Sequence, residues 1–127
     1  MTPMDRDLVT AYLQHAAATV SGRATDGTFW AWEAVDGLRC RDPLAALDLA
    51  FEAVRRSEDD ATLAYIAAGP LEDLIVDHGE RFIDRIEMEA AREPRFRRAL
   101  RGVWGRDRML PNVAERLERV IANEPPL

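Results

Sequence analysis

Apolar residues recur at helical spacing in every segment of the chain, and no segment shows the strict alternation of a half-buried strand. Several segments also begin with a capping polar residue and a proline, as at Thr2 and Pro3, Asp42 and Pro43, and Glu93 and Pro94. Proline is favoured in the first turn of a helix, where its missing N–H would have no partner. The pattern therefore predicts an all-α fold.

About eight helices are expected, joined by loops of a few residues. The predicted breaks lie at residues 21–27, at Gly69 and Pro70, at Gly79 as a left-handed cap after His78, and at residues 105–111. Short loops favour antiparallel neighbours, so the helices are expected to form a stack of helical hairpins.

Two stretches support a repeat. DPLAALDLAFEAV, from Asp42, and EPRFRRALRGVW, from Glu93, share an acidic residue before proline and a following apolar stripe. Their separation of roughly fifty residues is near the repeat length of HEAT and armadillo proteins. The fold is therefore predicted to be a short α-α superhelix of this type, with an irregular helical bundle as the alternative.

Size and composition limit the class of protein. A chain of 127 residues is expected to form one domain, residues 1–127. The net charge of −6 argues against general nucleic-acid binding. All 17 basic residues are Arg, which excludes Schiff-base lysine chemistry and the P-loop lysine.

The location follows from what the sequence does not contain. The N-terminal stretch lacks a basic start followed by an apolar run, and no stretch approaches about 18 apolar residues. We therefore expect neither a signal peptide nor a membrane span. The single cysteine, Cys40, cannot form an internal disulfide, which fits a reducing compartment. The sequence predicts a cytoplasmic protein without membrane or nucleic-acid partners.

An acidic pair is the main candidate for chemistry. Asp73 and Asp77 stand at i, i+4 on a predicted helix, where like charges repel. Either Arg81 or Arg85 offsets this repulsion, or a divalent cation such as magnesium or calcium bridges the two carboxylates. His78 extends the apolar stripe of its helix and is the third candidate ligand.

Trp30 is a candidate binding residue. It projects away from the stripe formed by Trp32, Val35 and Leu38. With Glu33 it forms a docking surface, since tryptophan is enriched at binding hot spots, or it packs against a second neighbouring helix.

The only basic concentration contains Arg97 and Arg101, which share a helix face at i, i+4. Acids of the preceding helix hold these arginines, or an anionic ligand does. The candidate acids are Asp84, Glu87 and Glu89. We expect Arg98 to be internal, and Arg97 and Arg101 to face solvent as a recognition patch.

The stretches FWAWEAVDGL, LAYIAAGPLEDLIVDHGERFIDRIEMEA and EPRFRRALRGVWGRDRM are distinctive in combination. They resemble a family of small uncharacterised bacterial proteins classed as a domain of unknown function. The resemblance covers roughly residues 29–109. It implies a helical, HEAT-like bacterial protein and carries no mechanism.

Together these features favour a non-catalytic protein-interaction module, such as an immunity or regulatory protein, that binds another protein and needs no cofactor. The candidate binding residues are Trp30, Glu33, Arg97 and Arg101. The alternative is a carboxylate-dependent, metal-assisted hydrolase of a phosphorylated or glycosidic substrate. Its candidate metal ligands are Asp73, Asp77 and His78.

Overall fold

The computed structural model describes residues 2–127 and builds them from helices alone. The α-helices are α1 (Pro3–Val20), α2 (Phe29–Arg41), α3 (Pro43–Arg56), α4 (Asp60–Ile66), α5 (Glu72–Arg92), α6 (Pro94–Leu100) and α7 (Pro111–Ile121). A π-helical segment, Ala67–Leu71, and a 3₁₀ turn, Arg106–Arg108, complete the list. The all-α prediction is confirmed for this part of the chain.

Helix starts follow the capping rules. At α1, the Thr2 hydroxyl accepts a hydrogen bond from the Asp5 backbone N–H at 3.2 Å, and the Asp5 carboxylate accepts one from the Thr2 N–H at 3.0 Å. The Asp42 and Asp59 carboxylates cap α3 and α4 in the same way. Each cap satisfies a backbone donor that has no partner inside the helix.

At the predicted break at Gly69 and Pro70 the chain kinks, but no loop separates the two helices. The helix continues from α4 through the π-helical segment into α5, so α4 and α5 form one helical rod. Gly69 has non-helical φ and ψ of −101° and −110°, and Pro70 and Leu71 are buried. Proline removes one helical hydrogen bond and crowds the preceding turn, and the wider π turn accommodates it as a kink. With the rod from α4 to α5 counted as one helix, the described residues contain six helices, and the expected number of about eight is not confirmed.

The left-handed cap predicted at Gly79 is wrong, and α5 runs on to Arg92 across a kink. His78 departs from helical geometry, with φ −135° and ψ 17°, which marks a second kink, and the φ of Gly79 is not positive. A Cβ at Gly79 would lie 2.8 Å from Cγ1 of Val113 in α7. Glycine is therefore required here by the close approach of two helices.

One hydrophobic core joins the helices, with α3 packed against α1, α2, α5 and α6. A buried ion pair fixes α3 to α5: the Glu89 carboxylate accepts hydrogen bonds from Arg55 at 2.9 and 3.0 Å and from Arg92 at 2.9 Å. Burial alone would raise the pKa of Glu89, but these two guanidinium groups hold it below its usual value.

Candidate functional site

The second helix is the least buried of the longer helices. Only Ala31 and Val35 of α2 are buried, while Phe29, Trp30 and Trp32 are 46%, 55% and 39% exposed. The expectation that Trp32 lies in a core stripe is wrong, and so is the alternative that Trp30 packs into a second helix interface. Three large aromatic side chains of α2 are therefore exposed at the surface, with Trp30 projecting to a different side from Trp32.

These side chains are held in place. The rings of Phe29 and Trp32 stack with centroids 5.5 Å apart and planes within 10°. The rings of His15, from α1, and Phe29 form a T-shaped pair with centroids 6.1 Å apart, and His15 Nδ1 is 3.0 Å from the Thr28 hydroxyl. We call Phe29, Trp30, Trp32 and the exposed Glu33 the aromatic face.

Beyond the aromatic face, Arg39 of α2 connects to the predicted acidic pair. Its Nη1 donates to Asp77 at 3.2 Å, its Nη2 lies 2.9 Å from Asp36, and its Nε is 3.9 Å from Asp73. The repulsion between Asp73 and Asp77 is thus offset by Arg39. The two arginines expected to offset it lie elsewhere, with Arg81 over the Phe82 ring and Arg85 paired with Asp48.

A small cleft of about 80 Å³ lies where α1, α2 and the kinked rod meet. Its lining residues are Tyr12, Trp32, Val35, Asp36, Arg39, Gly69, Pro70 and Asp73. Tyr12 is 1% exposed, and its hydroxyl has no hydrogen-bond partner among the described residues. Burial raises the pKa of Tyr12, and the neighbouring Tyr65 and Asp73 raise it further, so the phenol stays protonated.

Asp73 is the perturbed carboxylate of this cleft. Burial raises the pKa of Asp73; Arg39 opposes the shift, whereas the Asp77 charge adds to it. Such a shift is typical of functional sites, although structural ion-pair networks also produce it.

The three candidate metal ligands do not converge. Asp77 and His78 line a separate cleft of about 600 Å³ beside Met109 and Val113, whereas Asp73 lines the small cleft. Within residues 2–127, no group of three or more His, Cys, Asp or Glu side chains is arranged to hold a metal ion. The metal site therefore stays a prediction without geometric support.

The arginines of α6 are more internal than expected. The Arg97 side chain is 38% exposed, its Nη1 donates to the Ala90 carbonyl at 3.0 Å, and its Nε lies 3.3 Å from Glu124. Arg101 is half-buried in a cleft beside Trp104. The expected solvent-facing patch of Arg97 and Arg101 is therefore wrong.

Arg98 is paired, but with Asp60 of α4 at 2.6 and 3.0 Å. The three acids of the preceding helix, Asp84, Glu87 and Glu89, were the expected partners of these arginines. They pair instead with Arg116, Arg55 and Arg92. Arginines on distant helices can pair with the same acids, and the sequence does not show which pairs form.

The structure adds Tyr12, Asp36 and Arg39 to the candidate site. The i, i+3 spacing of Asp36 and Arg39 was a visible sign of an ion pair on one helix. Tyr12 carried no such sign, because a tyrosine on an apolar stripe is ordinarily a core residue whose hydroxyl finds a partner.

The fold and this site define an all-α protein with an exposed aromatic surface beside an acidic cleft. The chain belongs to a family of unknown function (DUF6869), whose family model matches residues 20–124. The match confirms membership of a family without an assigned function and extends past residues 29–109 at both ends. No curated protein and no solved structure matches the chain significantly. Across residues 2–127, no helix combines the length and apolarity needed to cross a membrane.

Proposed function

We propose that the protein is a non-catalytic interaction module that binds another protein on the aromatic face of α2. The observation that carries this proposal is the exposure of Phe29, Trp30 and Trp32 on a helix that buries only two residues. Contiguous exposed apolar surface on a soluble protein marks interaction sites, and tryptophan is enriched among residues that dominate binding energy.

The arrangement of the aromatic face supports docking with little loss of side-chain entropy. The stacking of Phe29 on Trp32 and the packing of α2 against α1 and α3 restrain these side chains before any partner arrives. Binding therefore loses little side-chain entropy, which otherwise reduces affinity. Glu33 provides a polar rim beside Trp30, as expected around an apolar contact.

The proposal includes a short α-α superhelix, in which helices pack mainly against those of the next pair. In support, α1 packs against α2, α3 and α4, while α6 and α7 pack against α5 and each other. Such stacks present extended binding surfaces, and an immunity or regulatory role is part of the same proposal. A bacterial cytoplasmic location belongs to the same proposal, since the single thiol, Cys40, is free and exposed.

The test compares two exposed tryptophans. Trp30→Ala and Trp104→Ala remove the same side chain from positions that are 55% and 68% exposed, and only the first lies on the aromatic face. Captured proteins are identified from a lysate of the native cells, and the most enriched protein is purified for direct titration. Trp30→Ala should weaken its binding about thirtyfold or more, as for a central interface residue, and Trp104→Ala should leave it unchanged. Equal affinity of wild type and Trp30→Ala would exclude this surface.

The metal-assisted hydrolase is the second candidate function, favoured by the raised pKa of Asp73. A bound cation would stabilise the folded state and raise the melting temperature. The expected result for the hydrolase is a rise with millimolar magnesium, calcium or manganese that is lost when both Asp73→Asn and Asp77→Asn are introduced. An unchanged melting temperature of the wild type would exclude it.

A further inference from the structure

The aromatic face leads directly into the small cleft. Phe29, Trp32, Glu33 and Asp36 occupy i, i+3, i+4 and i+7 positions on α2, which lie on one side of a helix. Trp32 belongs to both surfaces, because it stacks on Phe29 and also lines the cleft. A partner seated on the aromatic face therefore places its neighbouring side chains at the cleft.

The cleft has an excess of negative charge. Two carboxylates of its lining, Asp36 and Asp73, face the single guanidinium of Arg39, which leaves a formal charge of −1, and Asp77 of the neighbouring cleft also pairs with Arg39. Arg39 gives its hydrogen bonds to Asp36 and Asp77. Asp73 lies 3.9 Å from Arg39 Nε and accepts no hydrogen bond among the described residues. An acceptor therefore remains available in the cleft wall.

An independent observation comes from α1. The Tyr12 hydroxyl is buried, has no hydrogen-bond partner within residues 2–127, and lies at the cleft beside Gly69. A Cβ at Gly69 would stand 3.6 Å from this oxygen, so a larger residue there would cover it. A buried hydroxyl without a partner costs free energy, and a ligand that bonds to it would recover that cost.

These features determine which kind of chemical group the cleft can bind. An anion would be repelled by the carboxylates of Asp36 and Asp73. An ammonium or guanidinium group can donate to Asp73 and to the Tyr12 oxygen, and the Trp32 ring next to them attracts cations. The volume of about 80 Å³ accommodates a side-chain head group and is well below the roughly 300–1,000 Å³ of sites for whole small molecules.

We propose that this cleft binds the charged head of a lysine or arginine side chain from the partner protein whose apolar residues dock on the aromatic face. The inference rests on the proposed function and names the partner's chemistry: a segment with an exposed apolar residue next to a basic one. The chain's net charge of −6 favours such a basic partner over long range.

The test uses head-group probes and the three tryptophan indole N–H signals in a ¹H–¹⁵N NMR spectrum. Butylammonium and butylguanidinium represent the lysine and arginine side chains, and 1-butanol is the neutral control. The Trp32 signal should shift and saturate with at least one cation at roughly millimolar concentration, given the few atoms in each probe. The Trp104 signal should stay in place, and butanol should leave Trp32 unshifted.

Variants assign the binding groups. Asp73→Asn and Tyr12→Phe should each raise the dissociation constant of the cation about three- to tenfold, the range expected for losing one hydrogen bond. Asp107→Asn, an exposed acid on the 3₁₀ turn, should leave it unchanged. Equal weakening by Asp73→Asn and Asp107→Asn would show a general effect of the net charge and would overturn the proposal, and so would unchanged affinity in Tyr12→Phe.

The remaining outcomes separate this inference from the proposed function. Absence of a cation-specific Trp32 shift overturns the proposal that the cleft binds a basic side chain. A shift of the same size with magnesium chloride overturns it as well. Neither result affects docking on Trp30, which the capture experiment tests by itself. Saturable binding of the probes supports the cleft even if Trp30→Ala has no effect on partner capture.

Discussion

Tyr12 and Asp73 stand out among the residues of the cleft because each is placed at a cost to stability. The Tyr12 hydroxyl is buried without a hydrogen bond among the described residues, and burial raises the pKa of Asp73 despite the nearby Arg39. Groups that destabilise the fold are commonly retained where they act. Their neutral counterparts are therefore expected to give a more stable protein.

Tyr12→Phe removes only the hydroxyl and keeps the ring in the core. Because this hydroxyl has lost its water without gaining a protein partner, we expect the free energy of unfolding to rise by about 1 kcal/mol. Chemical denaturation measures the change. Ser57→Ala is the control: the buried Ser57 hydroxyl donates to the Ala53 carbonyl at 2.7 Å, so its loss should destabilise the fold. A Tyr12→Phe protein less stable than wild type would show that the hydroxyl is satisfied.

The pH dependence of the melting temperature of Asp73→Asn tests whether the ionised Asp73 carboxylate destabilises the fold. The pKa of Asp73 is higher in the folded state than the unfolded value of 3.8, so the ionised carboxylate destabilises the fold. This destabilisation disappears when Asp73 is protonated at low pH. Asp73→Asn should therefore have a higher melting temperature than wild type at pH 7. The difference should shrink as the pH falls towards 4.

Asp77→Asn is the control for this pair, since Asp77 accepts a hydrogen bond from Arg39 at 3.2 Å. Its replacement should give no increase in melting temperature at pH 7. If Asp73→Asn is less stable than wild type at pH 7, the ion pair with Arg39 dominates over burial, and the account of Asp73 is wrong.

At the scale of helices, the kinked rod from α4 to α5 forms one wall of the cleft. Gly69 and Pro70 lie in the π-helical segment, and both line the cleft beside Tyr12. A π turn inside an α-helix often marks a functional position, because it widens the helix locally. The same rod continues past His78 to Gly79, where it meets α7.

Gly79→Ala tests that helix contact. Alanine normally stabilises a helix interior by up to about 1 kcal/mol relative to glycine. Here its Cβ would lie 2.8 Å from Cγ1 of the buried Val113, so we expect a net loss of about 1 to 3 kcal/mol in the free energy of unfolding. Thermal or denaturant unfolding measures it.

Gly27→Ala serves as the comparison, because nothing lies within 4 Å of the added Cβ and its φ is not positive. It should change stability by less than about 0.5 kcal/mol. A Gly79→Ala protein as stable as the wild type would show that α5 and α7 do not approach as closely as described.

At the scale of the whole molecule, the helical fold was predictable because its signals are local. The capping residues Thr2, Asp42 and Asp59 and the apolar spacing act within one helix, and each helix begins where they indicate. The fate of Gly69 and Pro70 was not predictable in this way. Local rules predict a helix end with a loop, whereas the chain kinks at Gly69 with Pro70 buried, and α5 follows without a loop.

The candidate site was predictable only in part, for the same reason. Trp30 and Glu33 lie on the exposed surface that the sequence offered as one of two alternatives. Partners between distant elements decided the rest: Arg97 lies near Glu124, and Arg39 reaches Asp77 across 38 positions of sequence. Tyr12 joined the site through a missing hydrogen bond, which depends on all the helices around it.

Site-specific photo-crosslinking tests directly whether a partner protein binds on α2. A photoreactive amino acid is placed at Glu33, on the aromatic face, or at Asn112, an exposed residue at the start of α7, and the native cells are irradiated. If the partner binds on α2, position 33 should give one discrete adduct, which is lost when Trp30→Ala is added, and position 112 should give none. The same adduct from both positions, or none from position 33, would contradict it.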